Sequence, residues 1–477
     1  KGFTNNATGY HNLAAGALRP YGGTYSDRQD ATLLSGLFSA RYSIFNRYAL
    51  SVSVRADGSS LVGENHTWGL FPSVSGEWDV KHEAFLRGVD AVNRLKFRIG
   101  YGESGNLAGI SAYNAVRRMV PTNVVPVNGA PVVTMSEARN YNPDLRWETR
   151  GTFNVGAEAA LWDNRLILTV AYYHAVTRDM LYEYEVPVPP FVYNKLLANN
   201  GTLSNDGWEL GLGASLLRTR DWGLDVNANL TVQRSRLRSL GGACLGMQLT
   251  APRITPIGGM ELGAGFHGGN NNVLYQIVGQ PLGVFYLPKS TGLELQPDGS
   301  RRYEIEDLDH NGRINVEDGG DRYVAGQATP KVMLGSNIAV RYKNWDLTMQ
   351  INGAFGHKIF NATALAYMNM TSFPDYNVMR GAPQQNIKDQ NVTDYWLEKG
   401  DYVNVDYITL GWNVPLRSRV IQGLRLSCSV NNPWTFTAYS GLTPMINSHV
   451  VNATIGMDDK RSYPVYRTFS MGVNVQF

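Results

Sequence analysis

The 477 residues carry 43 Lys and Arg against 40 Asp and Glu, a formal net charge of +3, with 43% hydrophobic and 17% charged residues. Near-balance argues against a nucleic-acid surface, which needs a basic face, and two cysteines, Cys244 and Cys428, outside any C-x-x-C spacing, exclude a disulfide framework. No run approaches the roughly 18 consecutive apolar residues of a transmembrane helix, whereas 50 Gly and 26 Tyr are what strands, turns and aromatic interface girdles leave behind.

The chain opens on Lys1-Gly2-Phe3 with no signal peptide, so processing or truncation is expected to have removed what came before. From residue 33 onward apolar and polar residues alternate. Tyr48, Leu50, Val52 and Val54 share one face of YALSVSVR, and Leu95, Phe97, Ile99 and Tyr101 one face of RLKFRIGY. The same spacing joins Val226, Ala228, Leu230 and Val232, then Trp345, Leu347, Met349 and Ile351, then Leu424, Leu426, Cys428 and Val430. It is cleanest at the end, where Phe469, Met471, Val473, Val475 and Phe477 oppose Thr468, Ser470, Gly472, Asn474 and Gln476. A period of two is that of a strand with one apolar face. Within 403–414 that face shifts partway, from Val403 and Val405 to Ile408, Leu410 and Trp412.

Thirteen strands are predicted, at 33–43, 47–56, 70–80, 94–103, 150–161, 165–176, 207–218, 221–235, 333–343, 345–356, 403–414, 422–432 and 464–477. Their connections alternate. Short ones lie at 44–46, 81–93, 162–164, 219–220, 344 and 415–421; long ones at about 57–69, 104–149, 177–206, 236–332, 357–402 and 433–463. A sandwich has no reason to keep its long loops at one end, but a membrane barrel does, with short periplasmic turns and long outer loops. The expected fold class is therefore all-β, a transmembrane antiparallel β-barrel. The mean hydropathy of −0.25 is no objection, because only one face of each strand meets lipid. Aromatics near the short turns, Phe45, Tyr48, Trp162, Trp222, Tyr342, Trp345 and Trp412, suit an interfacial girdle. A closed single-chain bacterial barrel has an even strand number, so thirteen strands are expected to be the C-terminal portion of a larger barrel.

Within the loops, D-L-D-H-N-G-R-I-N-V-E-D, from Asp307 to Asp318, has calcium-loop spacing. Asp307, Asp309 and Asn311 stand at positions one, three and five, Gly312 turns at six, Arg313 offers its carbonyl at seven, and Asn315 and Asp318 stand at nine and twelve. Such a Ca2+ would be a structural staple; Glu304, Glu306 and Asp321 lie nearby, and an acidic turn that binds nothing is the plainer alternative. The segment YEYEVPVPPFVYN offers Tyr182, Tyr184, Phe191 and Tyr193 as a stacking surface for sugar rings or peptide side chains, or else as packing. Tyr367, Phe373 and Tyr376 form a sparser set of the same kind. No H-E-x-x-H, G-x-S-x-G or P-loop spacing occurs. Acid pairs such as Asp144 and Glu148 are ordinary in outer loops, so no enzyme is expected.

Further stretches carry a resemblance: S-V-R-A-D-G-S-S (53–60), W-G-L-F-P-S-V-S-G-E-W (68–78), L-K-F-R-I-G-Y-G-E-S-G-N (95–106), N-P-D-L-R-W-E-T (142–149), Y-Y-H-A-V-T-R-D-M-L (172–181), S-N-D-G-W-E-L (204–210), V-G-Q-P-L-G-V-F-Y (278–286), the D-L-D-H-N-G-R-I-N loop, Y-P-V-Y-R-T (463–468) and terminal Phe477. In order and together, they make the chain resemble the SusC-like (RagA/SusC-type) TonB-dependent outer-membrane transporters of Bacteroidetes. The resemblance implies a 22-stranded barrel around an N-terminal plug that is absent from this chain. It also implies a SusD-like surface lipoprotein as lid, energy from a TonB-type complex, and location in the Gram-negative outer membrane, in contact with its lipid. The expected function is TonB-dependent import of an oligomeric nutrient, oligosaccharide or oligopeptide. Alternatives are a passive channel or surface receptor, and a secreted glycan-degrading enzyme, against which the lipid-compatible final strand speaks.

Overall fold

The computed structural model describes residues 2–3, 6, 9–17, 25–259, 272–417, 420–446, 455–459 and 463–477. Thirteen strands form one wall: β1 Leu33–Ile44, β2 Tyr48–Ser59, β3 Trp68–Asp79, β4 Val92–Asn106, β5 Glu148–Leu161, β6 Leu166–Glu185, β7 Lys195–Arg218, β8 Trp222–Cys244, β9 Val332–Tyr342, β10 Trp345–Phe355, β11 Tyr402–Asn413, β12 Gly423–Thr437 and β13 Thr468–Gln476. Sheet order is chain order, and every neighbouring pair is antiparallel. A short strand, Met247–Thr250, folds back onto the end of β8. Consecutive antiparallel pairing puts all short turns at one end of the wall and all long connections at the other.

The register aligns the alternating faces into rows. Tyr42, Leu50, Gly76, Ile99, Val155, Tyr172, Trp208, Val232, Val332 and Phe355 are successive partners across ten strands. Several of these apolar side chains stand open, Leu50 at 51%, Ile99 at 53% and Trp208 at 50%. A continuous exposed apolar face of this extent has no place in water and fits lipid. Near the short turns Trp222 meets Tyr342 with ring centroids 4.3 Å apart, and Trp345 stacks on Trp412 at 5.2 Å and 7°, the girdle expected there. From Trp345 to Phe355 the strand advances about 33 Å; at the usual barrel tilt this spans roughly 25 Å of membrane thickness, the height of an apolar band.

The opposite face is polar and cross-linked between strands. Lys96 pairs with Glu77 at 2.7 Å, Arg94 with Glu158 at 3.1 Å and Arg425 with Asp346 at 2.5 Å, and hydroxyls couple at Ser53–Ser73 and Thr409–Ser429. The partial face shift in 403–414 is a β-bulge. Register slips between Val405 and Tyr407 against β12 and between Gln350 and Ile351 against β10, so one extra residue, Asp406, puts Val405 and Ile408 on the same side.

Two expectations need correction. The loop expected at 177–206 is mostly strand: β6 and β7 run on as a hairpin to Glu185 and Lys195, and β8 continues to Cys244. The remaining long connections also hold folded structure of their own. One core gathers Val273, Leu274, Phe285, Leu287, Tyr303, Phe360, Leu365, Ile387 and Met457 from three separate connections. A second joins Val62, Phe71, Ile110, Leu145 and Trp147. There Asn142 and Asn199 act as clamps. Asn142 Nδ2 donates to the Leu197 carbonyl at 2.9 Å, and Asn199 bonds the backbone of both Arg146 and Asp179. The N-P-D-L-R-W segment is thus a structural dock between the 104–149 connection and the β6–β7 hairpin.

Candidate functional site

The acidic loop sits among small strands outside the wall. A four-stranded sheet of Ile254–Gly259, Asn272–Ile277, Val284–Pro288 and Arg322–Gln327 frames it, and Arg301–Ile305 leads into it. Local residue choice explains its shape. Gly312, at φ +80°, supplies the left-handed turn at position six that other residues resist. Asp307 accepts the Gly312 amide at 2.8 Å and the Asn311 amide at 3.2 Å, Asp309 accepts Asn311 Nδ2 at 2.7 Å, and Asn311 Oδ1 accepts the Arg313 amide at 2.8 Å. Asn315 Oδ1 accepts the Glu317 amide at 3.0 Å. These short-range bonds fold 307–317 into a tight turn stitched by its own side chains. The Gly312 amide, above all, holds the Asp307 carboxyl below the ordinary aspartate range.

At Asp318 the structure departs from the arrangement that the motif spacing predicts. The carboxylates of Asp307, Asp309 and Asp321 have oxygens within 4.8 Å of one another; Asp318 does not belong to this cluster. Asp318 instead accepts the Tyr275 hydroxyl at 2.5 Å and faces Arg322 Nη1 at 3.2 Å. Arg322 in turn donates to the Val316 and Tyr286 carbonyls and is buried with the sheet. Asp321 is fully buried, accepting the Leu308 amide at 2.8 Å and the Asn315 amide at 2.7 Å. Gly319 and Gly320 allow the extra turn that carries Asp321 inward; a Cβ at Gly320 would lie 2.3 Å from the Asn315 carbonyl oxygen. Three carboxylates this close repel one another unless protonated or bridged by a cation. Oxygen donors alone fit a hard divalent ion.

The aromatic quartet separates. Tyr184 is 1% exposed in a core with Val186, Leu196, Ala198, Cys244 and Leu249, and Tyr182 and Phe191 pack against that core. Burial pushes the Tyr184 hydroxyl up to about 12. Tyr193 is 39% exposed, its hydroxyl donating to the Glu137 carbonyl at 2.6 Å. In the sparser set Tyr367 leans on the largest core, while Phe373 and Tyr376 are exposed.

Residues 2–433 match the family model described as TonB dependent receptor-like, beta-barrel. The chain is 28% identical over its whole length to TonB-dependent receptor P3 of Formosa agariphila, covering 48% of that protein. It is 25% identical over 94% of its length to TonB-dependent receptor SusC of Bacteroides thetaiotaomicron, covering 44% of that protein. Among solved structures, the RagAB peptide importer in its open-open state superposes with a TM-score of 0.75 at 20% identity, over 94% of this chain and 47% of that one. The chain thus spans about half the length of the relatives it matches.

Proposed function

From the premise that this chain belongs to the TonB-dependent receptor-like β-barrel family, an outer-membrane transport family without catalytic activity, we propose that it is the larger, C-terminal part of the wall of an importer for an oligomeric nutrient. In this reading the complete barrel has 22 strands around a plug. A SusD-like lipoprotein closes the outer end, and a TonB-type complex supplies energy from the periplasmic side. The observation that carries it is the wall itself. Thirteen strands run in unbroken antiparallel order, and β1 and β13 each have a wall neighbour on one side only among the described residues. An open edge in hydrocarbon leaves backbone groups unsatisfied, so further strands must close the cylinder, about nine if the complete barrel has 22. Folded outer connections, sharing hydrophobic cores instead of lying free, suit a mouth that must receive a partner and a large cargo.

Calcium is the ion we assign to Asp307, Asp309 and Asp321, with the Asn311 and Asn315 side chains and the Arg313 carbonyl completing an oxygen shell. Its role is to brace the loop against the four-stranded sheet. Of the aromatic quartet, Tyr193 is the residue best placed to meet cargo, since packing accounts for Tyr182, Tyr184 and Phe191. Purification of the native protein from outer membranes, with mass spectrometry of everything that accompanies it, tests the reading. A plug-bearing segment and a surface lipoprotein are expected. Isolation without either, together with steady ion conductance in a planar bilayer, would replace the importer with a passive channel.

A further inference from the structure

A cavity of about 750 Å3 opens where the outer ends of β8, β9 and β10 meet the folded connections. Lys331, Lys358 and Lys399 line it, against a single carboxylate, Asp401; Arg234 and Arg236 also border it but share the outward strand face of Val232. No ion pair joins any of these three lysines to a carboxylate among the described residues. Elsewhere on the polar face Lys96, Arg94 and Arg425 are each paired with an acid across the strand. Asp401 is itself engaged, one oxygen accepting the Gly356 amide at 2.6 Å.

Two glycines hold the lysines in place. A Cβ on Gly326 would lie 2.8 Å from Lys358 Cδ, and one on Gly356 would lie 3.0 Å from Lys331 Cβ, so both stems lie against bare backbone. Gly356 also has φ +78°. The imidazole of His357 is buried at the cavity edge, and its Nδ1 finds no hydrogen-bond partner among the described residues. Burial disfavours its charged form, so it adds a neutral acceptor or donor rather than another cation. Inward along the same three strands lies a second cavity, about 520 Å3, lined by Asn227, Asn229, Asn337, Gln350 and Asn352 among others. Amides in that density match the hydroxyls of a sugar chain.

The geometry points to an anion subsite at the outer cavity, on the import path, and to an acidic oligosaccharide, bearing carboxylate or sulfate groups, as the cargo. Resting on the importer reading, the inference deepens it by naming the substrate class. The acid groups dock on the lysines through charge-assisted hydrogen bonds, while the hydroxyl-rich chain follows the amide wall inward.

The test uses the full-length protein purified from outer membranes with whatever partners accompany it. Probes are size-matched oligosaccharide pools: acidic ones from pectin, alginate and fucoidan, and neutral ones from starch and xylan. Oligoglutamate of similar length serves as the acidic peptide. At least one acidic pool is expected to bind about 10-fold or more tighter than either neutral pool. That preference is expected to shrink several-fold as salt rises from about 50 to about 500 mM. The double variant Lys358→Gln/Lys399→Gln should lose the preference while keeping the heat-modifiable gel mobility of a folded barrel. Equal affinity for acidic and neutral pools, insensitivity to salt, or an unchanged preference in the folded variant would each overturn the proposal. Tighter binding of oligoglutamate than of every sugar pool would overturn its carbohydrate assignment. Failure of the importer reading would show separately, as binding without energy-dependent uptake by cells.

Discussion

Asp318 and Asp321 show how three residues of backbone decide which carboxylates meet. At position twelve of the motif, Asp318 has the right spacing, yet its carboxylate pairs with Arg322, whose side chain is only 1% exposed, and with Tyr275. Asp321 lies beyond the motif and ends up fully buried beside Asp307. Its signal in the sequence was faint: a further acid after Gly319-Gly320 and directly before the arginine. The two positions separate by experiment. Asp321→Asn is expected to abolish calcium-induced stabilisation in a thermal melt of the full-length protein. Asp318→Asn should keep the calcium response but lower stability by about 1–3 kcal/mol, because Arg322 loses a charged partner. A pH series follows from Asp307. Its carboxyl titrates below the ordinary aspartate value in the folded loop, so its contribution is complete above about pH 4 and lost as pH falls through the depressed value. The calcium-induced rise in melting temperature should therefore stay flat from neutral pH to about 5 and collapse below about 4.

Among the elements, the strands were the legible part, because alternation is a local record of which face meets lipid. Even the break in 403–414 was visible before its cause, the bulge at Asp406. What escaped was the length of β6, β7 and β8 beyond the membrane and the small sheets between the wall strands. In short strands such as Val284–Pro288 every residue is buried, so no alternation marks them, and their partners lie tens of residues away. Glycine contacts test these docked connections. At Gly63 a Cβ would stand 1.7 Å from the Pro143 carbonyl oxygen, and the Gly63 amide bonds the Leu145 carbonyl at 2.7 Å. Gly63→Ala is expected to cost about 1–3 kcal/mol and to expose the 57–69 connection to limited proteolysis. Gly36→Ala, with nothing within 4 Å, should leave cleavage unchanged.

Taken as a whole, the molecule is a wall with one face for lipid and one for the lumen, and the two faces should respond oppositely to charge. Met349 lies midway along the apolar row of β10, between Leu347 and Ile351, and Gln350 faces the other way. Met349→Arg is expected to cost about 2–4 kcal/mol at the bilayer midplane, read from urea unfolding in lipid vesicles. Gln350→Arg should change stability by much less. From its residues alone this protein determined its thirteen wall strands, their order and the end that bears the long connections, because each of these follows from alternation and turn length, properties written between near neighbours. Tertiary structure alone decided that the outer connections fold into shared cores, that Asp321 and not Asp318 joins Asp307 and Asp309, and that three lysines with no ion pair among the described residues meet over one cavity. Those outcomes depend on contacts between segments far apart in the chain, where burial and the loss of solvent, not sequence spacing, select the partners.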